Sequence, residues 1–248
     1  MKTSRTSGHS TNLVSLRSLI PCAVSYGETY NPSKATIKIP ALESLIAEGE
    51  HSLDLVLNLE VANKNAIDAR TVAYKLLGLT LASINNLVKA SDTSNEVRTY
   101  VSASVRTIRG IKLKSKKIVS AKTEANGDVA ETAVVVAHNM GYDIRLDNYN
   151  KLIQYLATVP NYNPNEPQLT VEGLTASYND MKSKNLEVVN TDVQLTRARI
   201  SRKAVFYTPS TGLAIAGSEA KNYIKAVFGV KSTEYKQVAK LKFKIYKN

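Results

Sequence analysis

Apolar residues recur at steps of three and four from Leu42 to Val88, and this pattern constrains the fold more than any other feature of the chain. Leu42, Leu45, Ile46, Leu53, Val56, Leu57 and Val61 open it, and Ile67, Val72, Leu76, Leu79, Ile84, Leu87 and Val88 resume it. That spacing draws one stripe along an α-helix, and Pro40 suits its first turn. Gly49 and Gly78 weaken the helix locally and mark where it would bend or break. Asp92, Thr93 and Ser94 then supply a turn and a cap for a shorter helix through about Arg109.

Further on, Ala133 to His138 is a β-branched run too short to assign, and Tyr142 to Thr158 reads as an amphipathic helix. Ile144, Leu146, Leu152, Ile153 and Leu156 form its inward face. Three prolines fall within the nine residues Val159 to Pro167, so no helix crosses them and they form the clearest boundary in the chain. A second long helix is expected from Leu169 to about Tyr207, where Thr208-Pro209 stops it. Its stripe comprises Val171, Leu174, Tyr178, Met181, Leu186, Val189 and Val193. Two short helices close the chain, Ser218 to Phe228 and Thr233 to Ala239, with Gly229 ending the former and Ser232 capping the latter.

Residues 1–39 are rich in Ser, Thr and Pro and read as an extended N-terminal arm, with a short strand at Thr36–Ile39; a disordered tail is the plainer alternative. Arg17 and Pro21 interrupt the weakly apolar stretch Leu13 to Val24, which therefore lacks the continuous run of an export signal. The expected location is the cytoplasm, or the virion if the chain is phage-encoded. The expected organisation is an arm over 1–39, a helical unit over 40–158, a linker over 159–167 and a second helical unit over 168–248.

The two halves echo one another. Asn58-Leu59-Glu60-Val61-Ala62-Asn63 recurs as Asn185-Leu186-Glu187-Val188-Val189-Asn190, and from Asn58 to Arg70 six of thirteen positions match without a gap. Arg98-Thr99-Tyr100-Val101 answers Lys221-Asn222-Tyr223-Ile224, and Ile111-Lys112-Leu113-Lys114 answers Leu241-Lys242-Phe243-Lys244. Matches at polar Asn, Glu and Arg exceed what a shared helical period dictates, so tandem copies of one supersecondary unit are expected, roughly over 40–117 and 167–248.

The second half carries a resemblance as well. Tyr162-Asn163-Pro164-Asn165-Glu166, then Asn185, Arg197, Arg199 and Arg202, then Lys221 to Gly229 are similar to a family of uncharacterised helical proteins common in Bacteroidetes genomes. About the last 85 residues share the likeness. It implies a soluble, mainly helical protein with no established activity or cofactor, and it supplies no catalytic residue.

Charge is unevenly spread. The chain has 33 basic and 21 acidic side chains, a net +12. Residues 41–96 carry eight acidic and four basic groups, residues 97–124 carry one and eight, and residues 197–248 carry two and twelve. Each half therefore joins an acidic long helix to a basic C-terminal part. Arg106, Arg109, Lys112, Lys114, Lys116 and Lys117 form one basic cluster, and Lys240, Lys242, Lys244 and Lys247 form the other. Such clusters suit acidic faces of neighbouring copies or nucleic-acid phosphates, with Tyr100, Tyr223, Tyr235 and Tyr246 close enough in sequence to offer stacking surfaces. The alternation from Lys240 to Ile245 predicts a half-buried strand with lysines outward and Leu241, Phe243 and Ile245 inward.

No phosphate-binding loop, dinucleotide-binding glycine pattern or nucleophile elbow is present in the sequence. His9, His51 and His138 are far apart and show no metal-ligand spacing. His51 lies beside Glu50 with Asp54 three residues on, a pattern that fits a surface ion pair better than a ligand set. A single cysteine, Cys22, cannot form an internal disulfide and reads as a small buried hydrophobe. The expectation is a mainly α protein of two pseudo-repeats with minor β elements at the basic tails, no cofactor and no membrane span. Functionally it reads as a non-enzymatic scaffold that self-assembles through its arm and its acidic and basic faces, as a homo-oligomer or larger assembly. A nucleic-acid-binding protein using the basic tails is the alternative.

Overall fold

The computed structural model describes residues 6–110 and 141–244. Within them the chain forms seven α-helices and no strand. These are α1 (Thr6–Ser25), α2 (Ile39–Ala90), α3 (Asn95–Arg109), α4 (Tyr142–Leu156), α5 (Val171–Tyr207), α6 (Leu213–Phe228) and α7 (Thr233–Ala239). The protein is mainly α-helical. No helix among the described residues is long and apolar enough to cross a membrane.

Most predicted helix ends fall where their capping chemistry places them, but α6 starts at Leu213 after Gly212, five residues before the expected Ser218. The Ser94 hydroxyl accepts from the Val97 amide at the start of α3, and Gly110 ends that helix in the left-handed region at φ 68°. Ser232 caps α7 by accepting from the Tyr235 amide, and Gly229 closes α6 at φ 89°. Helix α2 runs unbroken through Gly49 and Gly78. At Gly49 a Cβ would come within 3.0 Å of methyl groups of Leu13 and Leu213, so the glycine admits those two side chains rather than bending the helix.

The chain divides into two compact units that do not follow the expected boundaries. One comprises Met1–Lys64 and Asn190–Asn248, the other Asn65–Val189. The long helices α2 and α5 each pass from one unit to the other partway along their length. In the first unit, Leu13, Leu16, Leu19 and Ala23 of α1 are buried with Leu42 of α2, Phe206 of α5 and Leu213, Ala216, Ala220 and Ile224 of α6. In the second, Tyr74, Leu77, Leu81, Ile84 and Val88 of α2 pack with Val101, Val105 and Ile108 of α3, with Leu146, Tyr149, Leu152, Ile153 and Leu156 of α4, and with Leu174 and Met181 of α5.

Several expectations are corrected. Residues 6–25 are a helix, not an extended arm, because Leu13, Leu16, Leu19 and Ala23 repeat at three and four and have a core to enter. A 3-10 turn over Ala35–Ile37 replaces the strand expected at Thr36–Ile39. The proline segment is built into the second unit rather than linking two units. Val159 and Tyr162 are buried in its core, and the Asn161 amide donates to the Asp92 carbonyl at 2.6 Å.

The expected stripes fall in part on exposed faces. Leu57, Val61, Val72, Leu76 and Leu79 of α2 are exposed, as are Ile144 of α4 and Leu186, Val189 and Val193 of α5. Helices α2 and α5 are apolar on two sides, and periodicity alone does not say which side meets the core.

Leu241–Lys244 forms no strand. Leu241 and Phe243 nevertheless pack on the first unit's core while Lys242 and Lys244 point outward, as the alternation predicted. Side chains of α1 take the place of a paired strand. Asn12 Nδ2 donates to the Lys244 carbonyl and its Oδ1 accepts from the Lys244 amide, at 2.8 and 2.7 Å, while Ser15 donates to the Lys242 carbonyl. Ile245 lies outside the described residues.

Candidate functional site

The densest polar arrangement is inside the second unit, around Tyr74. Its ring is buried among the apolar side chains of α2, and its hydroxyl reaches the start of α4, donating to the Tyr142 carbonyl at 2.9 Å. Asn185 of α5 approaches the same oxygen, its Nδ2 lying 3.0 Å from the Tyr74 hydroxyl and 2.9 Å from Asp143 Oδ1. The Tyr74 and Tyr142 rings meet edge to face at 4.7 Å between centroids. Arg70 sits over the Tyr142 ring at 4.1 Å and Arg145 over the Tyr74 ring at 5.2 Å. Arg145 Nε also donates to the Ile108 carbonyl, which ties α3 to the cluster.

Burial holds the Tyr74 phenol above its ordinary value, as does the Asp143 carboxylate, against the opposing influence of Asn185, Arg145 and Arg70. At neutral pH the hydroxyl therefore keeps its proton and acts as both donor and acceptor. Its role there is to fasten α2, α4 and α5 together. Asn185 Oδ1 and Arg70 Nε are buried and make no hydrogen bond among the described residues.

A groove of about 480 Å³ lies in the first unit between α2 and α5. Ser44, Glu48, Thr208 and Thr211 supply its polar lining, with Ala41, Leu45, Ala204 and Val205 between them. Ser44 donates to Glu48 Oε1 at 3.1 Å and Thr208 donates to the Ala204 carbonyl at 2.7 Å, so two of its hydroxyl protons are already engaged.

The predicted basic clusters are only partly described. Arg106 Nε donates to the Ser102 carbonyl and Arg109 Nη2 to the Gly78 carbonyl at 3.1 Å, both near the end of α3. Lys112, Lys114, Lys116, Lys117 and Lys247 lie outside the described residues. Lys240, Lys242 and Lys244 are exposed at and after the end of α7. Near them Lys221 donates to the Ala239 and Leu241 carbonyls at 2.6 and 2.9 Å, and burial with the neighbouring Lys225 lowers its pKa.

The tyrosines expected to offer stacking surfaces differ in availability. Tyr223 meets Tyr30 edge to face and is half-buried, whereas Tyr100 is exposed and packs on Tyr155 at 4.0 Å. Tyr235 is half-buried beneath Lys225, and Tyr246 is outside the described residues.

No group of three or more His, Cys, Asp or Glu among the described residues is arranged to hold a metal ion. His9 packs against Phe206 and Tyr207, and Glu50, the neighbour of His51, pairs with Arg17. Cys22 is half-buried against the first unit's core.

Arg70 and Asn185 stand out in the sequence as repeated positions, with no signal that they border the Tyr74–Tyr142 pair. Tyr74 lies on the opposite face of α2 from the expected stripe, two residues from both Val72 and Leu76. The fold and its polar cluster define a mainly α-helical protein in which Tyr74, Asn185 and the start of α4 join three helices. No protein family, curated protein or solved structure matches the chain.

Proposed function

We propose that this is a non-enzymatic structural protein that assembles with itself through the outward faces of its long helices. The observation that carries this is the number of large apolar side chains those helices leave in water. In the first unit they are Leu55, Leu57 and Val61 of α2 with Val193 and Ile200 of α5, and Ile200 is 65% exposed. In the second they are Val72, Leu76 and Leu79 of α2 with Leu186 and Val189 of α5, and Leu79 is 64% exposed. Single exposed hydrophobes are ordinary, but rows of them on the longest helices suit a contact surface. A subunit of a phage particle or a cellular filament fits such a surface. Helix α1 is not the latch, since it is part of the first unit's core. Light scattering coupled to size exclusion, across a wide concentration range, tests this: growth of mass with concentration is expected, and a strict monomer throughout overturns it.

The chain is also read as a duplication, with copies set differently from the sequence expectation. Tyr30-Asn31-Pro32 and Tyr162-Asn163-Pro164 each precede a 3-10 turn and a long helix. The Tyr30 hydroxyl donates to the Ile37 carbonyl and the Tyr162 hydroxyl to the Leu169 carbonyl, seven residues on in both cases, at 2.7 and 2.6 Å. Leu42 and Leu174 then enter the two cores at the same step after the turn. The copies would thus be α1–α2–α3 and α4–α5–α6, and each compact unit combines the front of one with the back of the other.

A second reading, nucleic-acid binding, draws on the tail itself. Leu241 and Phe243 anchor it while Lys240, Lys242 and Lys244 face water. It predicts binding that falls steeply with salt and is lost when Lys112, Lys114, Lys240 and Lys242 are replaced by Glu. Retained binding refutes it.

A further inference from the structure

The outward face of α2 in the second unit has a narrower period than a surface helix requires. Asn65, Ala69, Val72, Leu76, Leu79 and Ser83 are all exposed, and they follow one another at steps of four and three without a break. Buried Tyr74, Leu77 and Leu81 occupy the opposite side of the same helix. A 3.5-residue repeat keeps one seam facing a partner helix along its whole length, whereas a face meant only for solvent needs no such register.

The two edges of the seam are unlike. Ala66 and Ala73 border it on one side and are drawn into the fold, and Asp68 and Lys75 border it on the other and are exposed. Asp68 also interacts within its own chain.

We propose that this seam pairs with the same seam of a second copy, running antiparallel. The seam rests on the self-assembly proposed above and specifies where and in which direction it occurs. Asp68 and Lys75 lie on the same edge with opposite sign, so a two-fold axis between residues 70 and 71 brings each Asp68 to within about 3 Å, measured along the axis, of the Lys75 of the other copy. The same axis sets Val72 over Ala69, a larger side chain opposite a small one, in both halves of the contact. A parallel pair would bring this charged edge against the edge of Ala66 and Ala73, where no opposite charge waits. The occupant that matches this edge in reverse order is the chain itself.

The test is sedentation of the full chain by analytical ultracentrifugation, with circular dichroism confirming that each exposed-site variant keeps its fold. Lys75→Glu and Asp68→Lys alone each weaken self-association roughly tenfold, and the two together restore it. Leu76→Ser with Leu79→Ser abolishes it. A spin label on Ser83→Cys in a Cys22→Ser chain then reads direction. An antiparallel pair sets the two labels about 37 Å apart along the axis, while a parallel pair brings them together.

An assembly that forms but ignores all of these substitutions overturns the seam and leaves self-assembly standing. A short label distance overturns the antiparallel direction. A wild-type chain that stays monomeric overturns both the seam and the proposal beneath it.

Discussion

Replacing Gly217 with Ala is expected to reverse the usual sign of that substitution. Gly217 is buried within α6, and a Cβ built there would lie 2.2 Å from Cε1 of Phe243 and 2.5 Å from its Cζ. In an unobstructed helix interior, Gly→Ala stabilises by about 1 kcal/mol. Here the ring must leave, and with it the tail that Asn12 and Ser15 hold by three hydrogen bonds to Lys242 and Lys244. Uncovering a half-buried Phe costs about 1 kcal/mol, and losing those partly exposed hydrogen bonds about 2 kcal/mol more. Chain entropy regained by the tail offsets part of this, so Gly217→Ala should destabilise by about 1–2 kcal/mol net.

Urea unfolding measures the change directly, and hydrogen exchange at the Lys244 amide, which donates to Asn12 Oδ1, reports release of the tail. The decisive comparison repeats the substitution in a Phe243→Ala background, where the obstruction is gone. There Gly217→Ala should stabilise by about 1 kcal/mol, giving a coupling of about 2–3 kcal/mol between the two sites. Equal stabilisation in both backgrounds, with Lys244 still protected, would refute the assigned contact between α6 and the tail.

Tyr30→Phe and Tyr162→Phe should each cost about 1–2 kcal/mol in denaturant unfolding, because each leaves a buried carbonyl, of Ile37 or Leu169, without its donor. Near-zero effects at either would show that the turn does not depend on that bond. Asn185→Ala should cost about 1–3 kcal/mol, since it strips a buried donor from both Tyr74 and Asp143; a neutral result would mean the cluster is not what joins α5 to α2 and α4. Burial pushes Tyr30, Tyr149 and Tyr162 up to about 12. The folded state then holds protons that the unfolded chain releases near pH 10, so stability should be level below pH 10 and fall between pH 10 and 12. Ultraviolet titration showing every tyrosine ionising near pH 10 in the folded protein would contradict this.

Helix positions were readable from local sequence to a degree that unit boundaries were not. Ser94, Gly229 and Ser232 act within one turn of themselves, so the starts of α3 and α7 and the end of α6 could be placed without knowing what they touch, whereas the start of α6 at Leu213 could not. Helix α1 is masked in the sequence by its Ser, Thr and Pro21, although Leu13, Leu16, Leu19 and Ala23 carry the helical step. The Tyr74 cluster could not be assembled in advance, since its members come from α2, α4 and α5. Its faint trace was the recurrence of Asn185 and Arg70 in the repeated block. Tyr-Asn-Pro at 30–32 and 162–164 is a further repeated block in the sequence, in a different register from Asn58 and Asn185.

From its sequence alone the chain was committed to long amphipathic helices, because hydrogen bonding and side-chain spacing along a helix are decided by neighbours within four residues. Tertiary structure decided which of two apolar sides of α2 and α5 was covered. It also decided that both helices would be divided between units, with the proline segment packed inside one of them. Those outcomes depend on which distant surfaces meet, and a helix that is apolar on two sides offers either one on equal terms until its neighbours arrive.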